Sequence, residues 1–212
     1  MTTIYFVRHG EYKNPDNIVP WRLPHFPLSN KGKKNINKDA EYFKNKNIEI
    51  IYSSPVLRAK QSAKILADKL NKKVVFSSLI SEVYTPLQSR HISYKEFFEK
   101  RTYPFLDDFH IKNKGESIEK IFFRMEKLVK KVLKKYPNKN VIFVSHGDPI
   151  MIYVLTKTNH KISSDDLING KNYIPKAGIF ELRFENIELI NVNFHNNINR
   201  KFSSRTNEVS QN

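Results

Sequence analysis

Hydrophobic and polar positions alternate in blocks along the chain, and the blocks predict strands and helices in turn. The first apolar run, Ile4 to Val7, has the length of a buried strand and stops at Arg8, His9 and Gly10. A loop with Pro15, Pro20, Pro24 and Pro27 follows, and "PLSNKG" leads into a polar helix ending near Lys46, with Ser29 placed to cap it. Ile48 to Tyr52 reads as a second buried strand. After it Ser54 has the side chain of an N-cap and Pro55 sits where the first helical residue belongs. Ala59, Ala63, Leu66, Ala67 and Leu70 then recur at helical spacing, and "KVVF" is a short third strand ending at Phe76.

Residues 83–115 mix aromatics, charges and prolines, which predicts one or two short helices inserted over the core. Beyond them Ile118, Ile121, Phe122, Met125, Leu128, Val129, Val132 and Leu133 form one apolar helical stripe that stops before Pro137. "NVIFVSHGDPIMIYVL" is strand, sharp turn and helix, and "GIFELRFENIELINVNF" alternates as a hairpin turning at Glu185-Asn186. Residues 1–195 read as one continuous domain. The tail 196–212 is polar and lacks periodicity, so disorder is expected there.

Strands alternating with helices argue an α/β fold with a mainly parallel sheet, in which ligands bind beyond the carboxyl ends of the strands. Two strands end alike, in Val7-Arg8-His9-Gly10 and Val144-Ser145-His146-Gly147. If they are neighbours, both histidines face one crevice.

Composition narrows the classes. The 212 residues suit one large domain or two small ones, and 39% hydrophobic residues suffice for a sizeable core. The absence of cysteine excludes a disulfide framework and thiolate metal sites. No apolar run approaches the ~18 residues of a membrane span, and "MTTIYFVRHG" lacks the pattern of a signal peptide, so a cytoplasmic protein with no membrane partner is expected. A net charge of +16 favours anionic partners, although richness in Lys, Asn and Ile together is equally a compositional bias.

In that crevice Arg8 and Arg58 would supply guanidinium forks, which match phosphate oxygens, and His9 and His146 two imidazoles. Arg58 falls in the first turn of its helix, and the helix after His146-Gly147 adds a second N-terminus, a favourable place for an anion. The set suits a dianionic phosphoryl group. A neutral histidine can take that group covalently, the arginines and a protonated His146 would stabilise its charge, and a carboxylic acid would protonate the leaving alkoxide.

These motifs resemble those of the histidine phosphatase superfamily, the phosphoglycerate-mutase-like fold. "RHGE" at 8–11 is similar to its nucleophile motif, "PLSNKG" at 27–32 to the following loop, and "YSSPVLRAKQSA" at 52–63 to its second-arginine segment. "KGES" at 114–117 and "VSHGDPI" at 144–150 complete the set in family order. The resemblance implies a three-layer α/β/α sandwich with neither metal nor organic cofactor. It also implies His9 as nucleophile, with Arg8, Arg58, His146 and Gly147 around the phosphoryl group. Glu82 lies where the family's proton donor sits, with Glu96, Glu99, Asp107 and Asp108 as the other carboxylates of that region. Asn14, just before Pro15, corresponds to a phosphate contact of one branch, and Arg22 in "WRLP" to that branch's loop arginine. Tyr12 and Pro15 depart from the commonest family form, which has Thr and Asn there.

The expected function is metal-independent hydrolysis of a small phosphorylated metabolite through a phosphohistidine. A phosphoglycerate mutase is the alternative, disfavoured because family mutases usually carry a longer insertion. A non-catalytic module reading phospho-ligands or nucleic acid is the third reading, with nucleic acid the lesser partner despite the charge. Specificity is expected from residues 83–115, where Arg90, Lys95 and Arg101 could meet an anionic leaving group and His91 could face the pocket. The sequence leaves the oligomeric state open.

Overall fold

The computed structural model describes residues 1–99, 104–163, 166–167 and 173–195. Six strands form one sheet in the order β3-β2-β4-β1-β5-β6, from Val74–Phe76 (β3) and Ile48–Ser53 (β2) through Asn140–Ser145 (β4) and Thr2–Arg8 (β1) to Ile179–Glu185 (β5) and Glu188–His195 (β6). The first four are mutually parallel, whereas β5 runs antiparallel to β1 and β6 antiparallel to β5. Helices cover both faces, which makes three layers.

The central strand shows why. All seven residues of β1 are buried, so its apolar run is continuous rather than alternating. Tyr5 and Val7 face one side, where they meet Ile36, Ala40 and Phe43 of α1 (Asn30–Phe43) and Ala59, Ala63 and Leu66 of α2 (Leu57–Leu70). Ile4 and Phe6 face the other, against Met125 and Val129 of α5 (Ile118–Lys135) and Ile150 and Tyr153 of α6 (Gly147–Lys157). Large-to-small changes at a fully buried residue such as Phe6 cost about 3–5 kcal/mol in general.

Helix boundaries follow the expected chemistry with two exceptions. Ser29 caps α1 by accepting from Gly32 N, and Ser117 caps α5 by accepting from Lys120 N. α1 ends at Phe43 rather than near Lys46. Ser54 is not the N-cap of α2: Val56 is, and it makes no side-chain cap bond. The Ser54 hydroxyl is 2.8 Å from His146 Nε2 instead, so it serves the crevice. The final hairpin turns one residue later than predicted, at Asn186-Ile187, with Asn186 at φ 54°.

Residues 83–115 hold more structure than predicted: short 3-10 turns at Pro86–Arg90 and Pro104–Leu106, and two short helices, α3 (Tyr94–Glu99) and α4 (Asp108–Lys112). Arg101 and the tail 196–212 lie outside the described residues.

Candidate active site

Parallel pairing places the two histidine turns side by side. Arg8 pairs with Ser145 in register, and His9 N donates to Ser145 O at 3.0 Å. The imidazoles that follow lie 5.1 Å apart between ring centroids. Two glycines let the first turn sit this low. A Cβ on Gly10 would stand 2.8 Å from Gly32 O, and one on Gly32 would stand 2.0 Å from Glu11 O. The RHGE and PLSNKG segments therefore touch backbone to backbone.

His9 is held in one tautomer. Its Nδ1 is 2.8 Å from the Gly10 carbonyl, which can only accept, so Nδ1 carries the proton and Nε2 the lone pair. Arg58 Nε donates to that Nε2 at 3.0 Å. Burial, then the charges of Arg58 and Arg8, push the His9 pKa well below the usual histidine value. The imidazole is neutral, and its Nε2 lone pair faces the Arg58 guanidinium.

Arg58, the second residue of α2, is 1% exposed. Its Nη2 donates to Trp21 O at 2.8 Å and lies 3.5 Å from Glu82 Oε2, and its Nη1 has no hydrogen-bond partner among the described residues. Trp21 presents that carbonyl from a backbone φ of 33°, a left-handed conformation that generally costs a bulky residue about 1–3 kcal/mol. Arg8 Nη1 donates to Ile174 O at 2.7 Å, and its guanidinium lies 5.1 Å from the Tyr173 ring centroid.

His146 is fully buried, and burial followed by Arg58 and His9 pushes its pKa well below the usual value. In the unliganded chain His146 is therefore neutral, whereas the expectation was a protonated His146 beside a phosphoryl group. The Ser54 hydroxyl accepts from Val56 N, which leaves its own proton for His146 Nε2 and so favours a proton on Nδ1. Nδ1 lies 3.6 Å from Glu82 Oε2. Glu82 thus faces both Arg58 and His146, while its Oε1 accepts from Val83 N.

Arg8, His9, Arg58, Glu82 and Asn14 line one crevice. The Asn14 amide is nonetheless committed locally, its Nδ2 donating to Ile18 O and its Oδ1 accepting from Ile18 N. Arg22, His146 and Gly147, also expected in the site, do not line it. Arg22 turns away from the crevice, donating to Glu82 O at 2.6 Å and pairing with Glu116. Gly147 starts α6 beneath Tyr173, whose hydroxyl a Cβ would meet at 2.1 Å. Arg90 lies 4.0 Å from the Phe109 ring centroid, Lys95 is exposed, and His91 is an exposed left-handed residue at φ 47°.

The crevice has further walls that the sequence did not announce. Lys176, Tyr173 and Asp148 line it, with Tyr173 OH donating to Asp148 Oδ1 at 2.6 Å. Lys176 lies 4.9 Å from the Tyr12 ring centroid, and Tyr12 OH is 2.6 Å from Tyr94 OH. The antiparallel β5 delivers this segment: Ala177 N donates to both Arg8 O and His9 O. The one available signal was "YIPKAG" directly before an alternating strand. Among the described residues of 83–115, Tyr94 contributes to the lining.

Arg8, Arg58 and Lys176 surround a neutral imidazole, with the carboxyl groups of Glu82 and Asp148 in the same crevice, a mainly cationic setting that suits an anionic group. Comparison with known proteins agrees. The family model of the histidine phosphatase superfamily (branch 1) matches residues 4–191. An uncharacterized phosphatase, PhoE, of Bacillus subtilis is 27% identical over 180 residues, covering 80% of this chain and 86% of that one. A 2,3-bisphosphoglycerate-dependent phosphoglycerate mutase of Thermoplasma acidophilum is 30% identical over 154 residues, covering 71% and 73%. The fold is shared with a phosphoserine phosphatase of Entamoeba histolytica, solved with 3-phosphoglyceric acid, at a TM-score of 0.72 and 24% identity over 92% of this chain and 98% of that one. The strand-end histidines, the buried arginine behind them and the match along nearly the whole chain make this protein a member of the histidine phosphatase superfamily.

Proposed function

We propose that the protein is a metal-independent phosphatase that hydrolyses a small phosphomonoester through a phosphohistidine at His9. The observation that carries this reading is the His9 tautomer: Nδ1 is tied to Gly10 O, and the Nε2 lone pair points at Arg58 inside the crevice. Arg8 and Arg58 would take the phosphoryl oxygens, drawing the Arg58 Nε–H away from Nε2. His146 Nδ1–H would add a neutral donor.

Nε2 then forms the N–P bond as the P–O bond to the leaving group breaks, and Glu82 gives its proton to the departing oxygen. In the second step water attacks phosphorus and the N–P bond breaks. Glu82, now a carboxylate, accepts the proton from that water, and inorganic phosphate leaves neutral His9 behind.

The test is labelling. A ³²P-labelled ester is expected to leave acid-labile, alkali-stable label on the wild type and none on His9→Ala, with turnover lost in parallel and EDTA without effect. Full turnover in His9→Ala would exclude the mechanism. The Thermoplasma relative supports a second reading, phosphoryl transfer between positions of phosphoglycerate. Release of inorganic phosphate against interconversion of 2- and 3-phosphoglycerate separates the two, and salt-sensitive binding without turnover would mark a binding module instead.

A further inference from the structure

The KGES motif has no part in the chemistry above, and neither Glu116 nor its partners line the crevice. Yet Glu116 sits at the centre of a network that holds the segment carrying Glu82. That segment, residues 79–85, belongs to no strand. Its carbonyls are gripped by two arginines. Arg124 of α5 donates through Nη1 to Leu79 O at 2.7 Å and through Nη2 to Ser81 O at 2.7 Å and Glu82 O at 3.3 Å. Arg22 donates through Nε to Glu82 O at 2.6 Å.

Glu116 orients both forks. Its Oε1 accepts from Arg124 Nε at 2.8 Å, and its Oε2 accepts from Arg22 Nη2 at 2.9 Å and from Tyr84 N at 2.7 Å. Its own backbone closes the strap, with Glu116 N donating to Tyr84 O at 3.0 Å. A buried His110 spans the rest, its Nδ1 2.8 Å from Thr85 Oγ1 and its Nε2 2.8 Å from Glu116 O.

We propose that Glu116, clamped between Arg22 and Arg124, is the positioning residue for Glu82. The proposal rests on the reading of Glu82 as the proton donor. A donor must lie within about 2.6–3.2 Å of the oxygen it protonates. Without the central carboxylate, two neighbouring guanidiniums repel each other and release the Glu82 carbonyl together.

The test uses the full chain and two probes, β-glycerol phosphate, whose alkoxide needs a proton, and p-nitrophenyl phosphate, whose phenolate hardly does. The phosphorylation burst is followed for Glu116→Gln, Glu82→Gln and the double variant. Glu116→Gln is expected to slow glycerol phosphate by on the order of 10²-fold, the general cost of a misplacement near 1 Å. p-Nitrophenyl phosphate should stay within about threefold, because it depends little on general acid catalysis. In the Glu82→Gln background the same change should add nothing for either ester. Arg22→Ala, on the outer arm of the clamp, should reproduce the ester discrimination at smaller size, and it decides the matter if Glu116→Gln does not fold. Losses that multiply in the double variant, or equal slowing of both esters by Glu116→Gln and Arg22→Ala, would overturn the clamp while Glu82 kept its role. Equal slowing of both esters by Glu82→Gln would remove the donor itself, and the clamp's purpose with it.

Discussion

His9 and His146 stand at the ends of adjacent parallel strands, whereas Glu82 stands on a segment outside the sheet. The histidine wall is set by the backbone ladder, in which Arg8 pairs with Ser145 and His9 N reaches Ser145 O. The Glu82 wall is set by side chains from three distant places, Arg22, Glu116 and Arg124. A ladder fixes positions through bonds every strand makes regardless of side chain. A clamp of charges fixes them only while each member is present. Errors should therefore be costly and general at the first wall and selective at the second.

The largest expected effect tests the histidine wall through its arginine. Arg58→Ala should lower kcat/KM by roughly 100-fold or more, since removal of one preorganised donor generally costs about 2.7–4 kcal/mol. Arg58→Lys should recover only part of it, for an ammonium lacks the fork that serves Nε2, Trp21 O and the phosphoryl group together. Steady-state kinetics near the wild-type value for Arg58→Ala would break the comparison outright.

A smaller effect falls on stability at the same wall. Gly32→Ala forces a methyl to within 2.0 Å of Glu11 O, a backbone atom that cannot swing aside. Overpacking of this kind generally costs about 1–3 kcal/mol, to be read from urea denaturation. An unchanged midpoint would show that the two motifs do not need their close approach.

A third prediction concerns pH. His9 and His146 have folded pKa values well below that of an unfolded histidine, by burial first and arginine charge second. Between those values the unfolded chain binds more protons, so the contribution of both groups is full above about pH 6.5 and is lost as pH falls. The slope should reach about 1.4 kcal/mol per pH unit for each histidine. His146→Asn should flatten the curve measured from pH 7 to 5 by one such share, and a profile unaffected by this change would contradict a neutral buried imidazole.

The smallest effect sharpens the other wall. Lys95 is 79% exposed on its side chain and does not line the crevice. Lys95→Ala should leave kcat/KM within about twofold and stability within ±0.5 kcal/mol, as for surface sites generally. A marked rise in KM would return specificity to the exposed cations of residues 83–115.

The same contrast explains what the sequence could disclose. The strand ends, the α5 stripe and the Ser29 cap were legible because each rests on local periodicity or a local hydrogen bond. Ser54 has the chemistry of a cap, but its hydroxyl answers to His146, 92 residues away. Arg22 was expected to meet the substrate, and nothing in "WRLP" says that Glu116 and the Glu82 carbonyl will hold it outside the crevice lining. Lys176 and Tyr173 were missed because an alternating strand reads alike whether it joins a sheet parallel or antiparallel, and only the second choice brings residues before β5 to the histidines.

The pairing of β1 with both β4 and β5 bears on how the chain is made. β1 is synthesised before either partner, yet Thr2 pairs with Phe184 and Thr3 with Asn140. At ribosomal speeds of about 5–20 residues per second, roughly ten seconds or more separate the strand from its last partner. Throughout that interval Ile4 to Val7 is an apolar segment awaiting cover. Because Ala177 N closes over the Arg8 and His9 carbonyls, the crevice should be complete only after the segment through β5 has left the ribosome.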